Sequence, residues 1–236
     1  MIIFRAPEFR CAFFLEADMT SRTKKLVTCA ILIAMGTAIS FVCEFIPFLN
    51  LPFGGTITIA SLLPLVLIGY MYGPAWGFGS AFVYSLLQML VGFKTVGALF
   101  TPTSDSYMGI GIAFGVVLLD YICAFTSVGL SSLLRNLKSP AAAIALGSVV
   151  GLLACYFFHF LSGALFYGAW AEWFFTDTIA KDFAISKSIM ENFSGAGLAA
   201  IYSLVYNGCY MIPEIVITTA VGAAVANVPI IKKNRA

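Results

Sequence analysis

Three ionisable side chains stand in the middle of long apolar runs: Asp120 in LLDYICAF, His159 in CYFFHFLSGALFYG and Glu214 in YNGCYMIPE, with Glu44 near the end of a fourth run. A charge at low dielectric is costly unless it is paired or used, so each marks a functional hypothesis. Rings and an amide accompany them. Tyr121 follows Asp120, and Gly163 and Tyr167 fall four and eight residues after His159, on one helical face. Asn207, Tyr210 and Glu214 form a stripe at i, i+3 and i+7, with Tyr202 and Tyr206 on an adjacent one.

Ring faces carry negative π density, and a carboxylate in apolar surroundings attracts a positive or hydrogen-bond-donating partner. Asn207 can donate and accept, and His159 can do either, which suits the edge of a small, flat, cationic or donor-rich heteroaromatic ligand. The alternative is that these groups only bond helix to helix. Pro213 has no N–H for the carbonyl of Cys209, which predicts a kinked helix with Glu214 facing inward, toward a structural partner such as a tyrosine hydroxyl or toward the ligand.

The elements that must hold these residues are membrane helices. Of the 236 residues, 61% are hydrophobic and 10% charged, and the mean hydropathy is +0.97, which places the chain among integral membrane proteins. Crossing the hydrocarbon takes roughly 20 helical residues. Six stretches qualify, near 26–46, 57–73, 75–92, 108–134, 140–169 and 197–227, the second and third joined by a tight turn at Tyr72-Gly73-Pro74. The expected fold is an all-α bundle of six transmembrane helices forming a single domain over 19–236. Residues 1–18 read as an extension that is not native, because MTSRTKKL from Met19 resembles a polar, basic leader to the first span.

Arg5, Arg10, Arg22, Lys24, Lys25, Arg135, Lys138, Lys232, Lys233 and Arg235 fall on one side of such a bundle, against Lys94, Lys181 and Lys187 on the other. The positive-inside rule then puts both termini in the cytoplasm. A net charge of +2, with basic residues at segment ends, gives no footing for nucleic acid. The outer loops differ in character: PFLNLPFGGTI (47–57) is rich in Gly and Pro, whereas 170–196 is long, acidic and aromatic. Trp170, Trp173, Phe174 and Phe175 suit either an interfacial belt or a functional loop. Six scattered cysteines without a CxxC pair read as buried apolar groups.

Catalysis and ATP use find no support in the motifs. None of the eight lysines follows a glycine, so no phosphate-binding GxxxxGK[ST] occurs; HExxH and GxSxG are absent, and one histidine cannot build a usual metal cluster. The expectation is a non-enzyme with no metal and no cofactor of its own. In the first span Ala30, Ala34 and Ala38 repeat every four residues, a stripe that permits close helix approach, either inside the bundle or with a partner.

LLDYICAF, YFFHFLSGALFYG and above all AIYSLVYNGCYMIPE resemble the thiamine-specific substrate-binding subunit (S component) of energy-coupling factor (ECF) transporters, the ThiT/YuaJ family. NLPFGGTITIASLLPLVLIGYMYGPAWGFGSAFVYSLLQMLVG resembles that family's second and third helices with their preceding loop. The resemblance implies a bacterial cell-membrane protein that binds thiamine from outside and assembles with a transmembrane coupling subunit and two ATPase subunits, which use the ATP. By motif, the family's acidic-Tyr pair falls on Asp120 and Tyr121, its histidine on His159, a ring on Tyr167, and the Tyr and Asn of YSLxxNG on Tyr202 and Asn207, with Tyr210 and Glu214 in support. The alanine stripe matches the family's docking motif. Two features depart from it: Asp120 stands where some members have Glu, and YGAWAEW opens into a loop longer than the family's short link. Alternatives are an S component for another small cationic or heteroaromatic vitamin or a thiamine precursor, or a stand-alone proton-coupled carrier working through Asp120, His159 or Glu214.

Overall fold

The computed structural model describes residues 21–51 and 54–235; the 1–18 extension, with Arg5, Arg10 and Cys11, lies outside the described residues. Helices dominate, and among the described residues strand pairing is confined to a single bridge between Asn50 and Thr56.

Helix α1 (Ser21–Glu44) buries only a narrow strip, Cys29, Ile33, Gly36, Ser40 and Cys43, at alternating spacings of four and three. Its remaining apolar surface, including Leu26, Ile31, Met35 and Val42, is exposed, as a helix facing lipid rather than water requires. Helix α2 (Leu63–Tyr72) is the reverse. It is buried almost all round, starts with Pro64 in its first turn and stops at Gly73, whose φ of 88° suits glycine. Arg135 donates from Nε to the Tyr70 carbonyl and from Nη2 to that of Met71, capping the negative end of α2 with a cation.

Helix α3 (Pro74–Val91) follows the Gly73-Pro74 turn. At Gly92 the chain bends by 74° into α4 (Phe93–Phe100). Helix α5 (Ile110–Leu134) changes pitch along its length: a regular turn over Ile110–Val116, a wide π turn over Val117–Cys123, a short regular stretch, then a tight 3-10 end over Val128–Leu134. That tight end lies against small residues of α6 (Pro140–Phe166). A Cβ at Gly147 would sit 2.6 Å from the Ser131 carbonyl oxygen, and one at Gly151 would sit 2.7 Å from that of Val128. Ser139 caps α6 by accepting from the Ala142 N–H.

Helices α7 (Ala171–Asp177) and α8 (Ser186–Asn192) lie in the long loop, which leads into α9 (Gly195–Val225) and the terminal α10 (Pro229–Lys233). The α6–α9 pair is the most extensive helix contact in the molecule.

Each of the six expected apolar segments contains helix, but they are not six equal spans. Four (α1, α5, α6 and α9) are long and apolar enough to cross a membrane, and α3 with α4 makes a fifth if the bent pair is one span. The stretch expected at 57–73 turns helical only at Leu63. Ten residues rise about 15 Å, half of the roughly 30 Å hydrocarbon thickness. Residues 54–62 instead run as a non-helical strap, for a reason visible in their bonding below.

The five described cysteines are free, and Cys29, Cys43 and Cys155 are buried, in keeping with their apolar reading. The 170–196 aromatics divide. Phe174 and Phe175 are buried while Trp173 is 40% exposed, so two of them cover the bundle and one faces outward. Phe174 packs edge-on against Tyr202 and Tyr206 at ring distances of 5.2 and 5.8 Å. Replacing this fully buried ring, Phe174→Ala, should cost about 3–5 kcal/mol. Thermal unfolding in detergent should show the loss, and limited proteolysis should cut 170–196 faster while far-UV circular dichroism keeps its helical amplitude.

Candidate functional site

A cavity of about 680 Å³ opens between α1, the 54–62 strap, α3, α5, α6 and α9, a size typical of small-molecule sites. Asp120, Tyr121, His159, Tyr167, Tyr202, Asn207, Tyr210 and Glu214 all line it. Sequence reasoning drew these eight from three separate runs, and the fold brings them together.

Asp120 and Tyr121 sit on the π turn of α5. A π turn inserts one residue into the helical ladder, a device that recurs at functional sites because it re-aims side chains. The Asp120 carboxylate is held from α6 at both oxygens: His159 Nδ1 lies 3.0 Å from Oδ1, and Ser162 Oγ donates to Oδ2 at 2.7 Å. With a carboxylate as partner the imidazole proton sits on Nδ1, which orients the ring. Each carboxylate oxygen keeps a further lone pair for another donor.

Asn207 occupies the seam between α6 and α9. Its Nδ2 donates to the Ser203 carbonyl at 2.8 Å and lies 3.0 Å from Ser203 Oγ and 3.2 Å from the His159 carbonyl. Tyr210 donates its hydroxyl to Asn207 Oδ1. Ser203 in turn donates to the Phe160 carbonyl at 2.6 Å. This closeness depends on Gly163, where an added Cβ would run into Ser203 and come within 3.1 Å of Asn207 Nδ2. Asn207 is therefore both a lining group and the bolt between two helices, with one acceptor lone pair of Oδ1 to spare.

Rings line the cavity as a connected series. Tyr202 contacts Tyr206, Tyr206 contacts Tyr210, Tyr210 stands edge-on to His159 at 5.7 Å, and His159 stands edge-on to Phe125 at 5.8 Å. Tyr167 lies beside Trp170 at 5.7 Å. Tyr206 accepts from the Gly55 N–H at 3.1 Å, tying α9 to the strap.

Glu214 has a different setting. It is 2% exposed, and the tyrosine-hydroxyl partner considered from sequence is not what it has: its bonds go to Thr58, Ala60, Leu62 and Thr218. The helix runs through Pro213 without interruption. Ala30, Ala34 and Ala38 lie away from the cavity, exposed along one face of α1.

Among the residues of the site that the sequence did not single out are Ser162, Phe125 and Gln88, together with Thr58 and Ser61 of the strap. Ser162 is three residues after His159, so helical spacing could have found it, but serine is common in membrane helices and signals little alone. Phe125 lies in LLDYICAF, where an apolar ring in an apolar run carries no signal of its own. Gln88, 6% exposed and accepting from Ser40 Oγ at 3.1 Å, sits in a stretch singled out for its overall likeness alone.

Comparison with known proteins supports one family. Residues 30–173 match the model of the family described as thiamine transporter protein (Thia_YuaJ). The chain is 27% identical over 213 residues to thiamine transporter ThiT of Bacillus subtilis (strain 168), covering 85% of this chain and 91% of that protein. The solved structure of ThiT from Listeria monocytogenes superposes with a TM-score of 0.60 at 18% identity, over 91% of this chain and 98% of the other, which is a likeness of fold.

The bonds to Asp120 allow a direct test. Ser162→Ala should destabilise the folded protein by about 1 kcal/mol by leaving an oxygen of the part-buried carboxylate short of a donor. In an Asp120→Ala background the same change should cost less than about 0.5 kcal/mol. Thermal denaturation in detergent across this double-mutant cycle measures the difference.

Proposed function

Because the chain belongs to the Thia_YuaJ family of thiamine transporters and is a multi-pass protein of the bacterial cell membrane, we propose that it is the substrate-binding subunit of an ECF transporter, capturing thiamine from outside. The observation that carries this reading is the single cavity in which a carboxylate, an imidazole, an amide and a series of tyrosines converge from α5, α6 and α9. Thiamine is two flat heterocycles, one an aminopyrimidine and the other a cationic thiazolium. Ring faces and a carboxylate at low dielectric are complementary to both.

In this reading the free lone pairs of Asp120 and Asn207 meet the polar edge of the aminopyrimidine. Tyr121, His159, Tyr167 and Tyr202 stack on the two rings, and Tyr210 holds Asn207 in place. The subunit has six membrane segments with both termini in the cytoplasm, α2 being the short inner member. Gathering of Lys25 over the Tyr72 ring, Arg135 at the end of α2 and Arg235 at the Leu137 carbonyl makes one end of the bundle basic, which supports that orientation. The protein carries no cofactor, and a transmembrane coupling subunit with two ATPase subunits supplies the energy. The exposed Ala30, Ala34 and Ala38 give the coupling subunit a smooth face to dock on.

Thiamine should quench intrinsic Trp and Tyr fluorescence of the purified protein at micromolar concentration or below. Asp120→Ala and Asn207→Ala should each weaken binding by about 1–3 kcal/mol. No response to thiamine, with a response to another heterocycle, would reassign the ligand. Uptake into liposomes should require the coupling and ATPase subunits; uptake by the protein alone under a pH gradient would instead establish a proton-coupled carrier.

A further inference from the structure

Residues 54–62 line one side of the cavity, although from Gly55 on they belong to no helix or extended strand. Such a segment inside a membrane bundle must find partners for its backbone N–H groups. Glu214 supplies them. Its Oε2 accepts from the Ala60 N–H at 3.0 Å and the Thr58 hydroxyl at 2.9 Å; its Oε1 accepts from the Leu62 N–H at 2.9 Å and the Thr218 hydroxyl at 3.1 Å. Ser61 Oγ stands 3.4 Å from Oε1 and 2.9 Å from Thr58 Oγ1, closing the ring.

Two further observations give this arrangement a purpose. Ala60 has φ of 58°, and it is the non-glycine residue of positive φ among those described. A Cβ crowds the carbonyl in that conformation, so an alanine holds it only where its surroundings enforce it. The residues on either side, Thr58, Ser61 and Leu62, line the cavity, whereas Ala60 does not. The carboxylate is also saturated: four donors at good distance occupy its two oxygens, and among the described residues it forms no ion pair. Asp120 has only two such protein contacts.

We propose that Glu214 is a positioning residue that clamps the turn at Ala60 in its left-handed conformation, so that Thr58, Ser61 and Leu62 are held as a fixed wall of the ligand cavity. It does not contact the ligand. As a claim about binding, this rests on the reading of the cavity as the thiamine site. As a claim about the turn, it stands alone.

Four proteins decide the matter: parent, Glu214→Gln, Ala60→Gly and the double variant, all purified in detergent. Amide hydrogen exchange of the 54–62 peptide, read by mass spectrometry without ligand, tests the clamp. Glu214→Gln should speed exchange there about tenfold, since an amide can accept from one backbone N–H but turns its NH2 on the other. The thiamine dissociation constant, read by fluorescence quenching, should rise about tenfold in Glu214→Gln and return to within about threefold of the parent in the double variant, because glycine occupies the left-handed region without crowding. Ala60→Gly alone should leave it unchanged.

Unaltered exchange in Glu214→Gln would overturn the clamp. Loss of binding that Ala60→Gly fails to recover would also overturn it, placing the carboxylate on the ligand instead. If the parent gives no thiamine response, the thiamine reading fails while the exchange data still decide the clamp. If Glu214→Gln yields no folded protein, Thr58→Val, which removes one donor and keeps the carboxylate, should speed exchange about twofold; no change there would count against the proposal.

Discussion

Gly163 lets the backbones of α6 and α9 approach so closely that Ser203 bonds to one carbonyl of α6, that of Phe160, and Asn207 to the adjacent one, that of His159. In a membrane there is no water to satisfy these groups and little hydrophobic drive to push helices together, so close packing and interhelical hydrogen bonds must do both tasks. The rest of the cavity follows from that contact. It sets where His159 stands, His159 and Ser162 set where Asp120 stands, and the tyrosines of α9 are presented toward the same space. A side chain at 163 would separate the helices and spread the polar groups apart.

The two acids held within the bundle, Glu214 buried and Asp120 part-buried, are used in different ways. Asp120 is held by two side chains of a neighbouring helix and keeps capacity for a further donor, as a group on offer to a ligand should. Glu214 spends its capacity on a piece of backbone that belongs to no helix. Both meet the demand that a charge in apolar surroundings be solvated by the protein itself, but only the first leaves part of that demand open. The hydrophobic rings serve two ends in the same way. Tyr202 and Tyr206 face the cavity and at once bind the 170–196 loop through Phe174.

Much of this was legible in the sequence, for reasons that differ by feature. Long apolar runs bounded by charges and by Gly-Pro pointed to an all-helical membrane protein, because the cost of a polar group in lipid is large enough to dominate local preference. Asp120, His159 and Asn207 stood out by the same cost. Hydropathy could not see that the run from 57 to 73 is only partly helical: Ile57, Ile59 and Ala60 count as apolar while the backbone there bonds to a carboxylate more than 150 residues away. Nor does a helical wheel drawn at one pitch fit α5, whose turns widen and then tighten around Asp120. From sequence the loop 170–196 stays open between an interfacial belt and a functional loop, because exposure of its rings depends on tertiary packing against Tyr202 and Tyr206, a contact that composition does not encode.

The wide turn at Val117–Cys123 carries a consequence for how such a site can change over descent. One residue more than a regular helix would use is stored there, and each residue of an α-helix turns its neighbours by about 100°. Losing that residue would restore an ordinary helix and strengthen its ladder, yet it would rotate Asp120 and Tyr121 relative to the half of α5 that is seated against α6 by its tight end. Exchanges of one side chain for another leave this geometry intact; a single-codon deletion does not. At this turn the number of residues, more than the identity of any one of them, fixes the direction in which Asp120 and Tyr121 face.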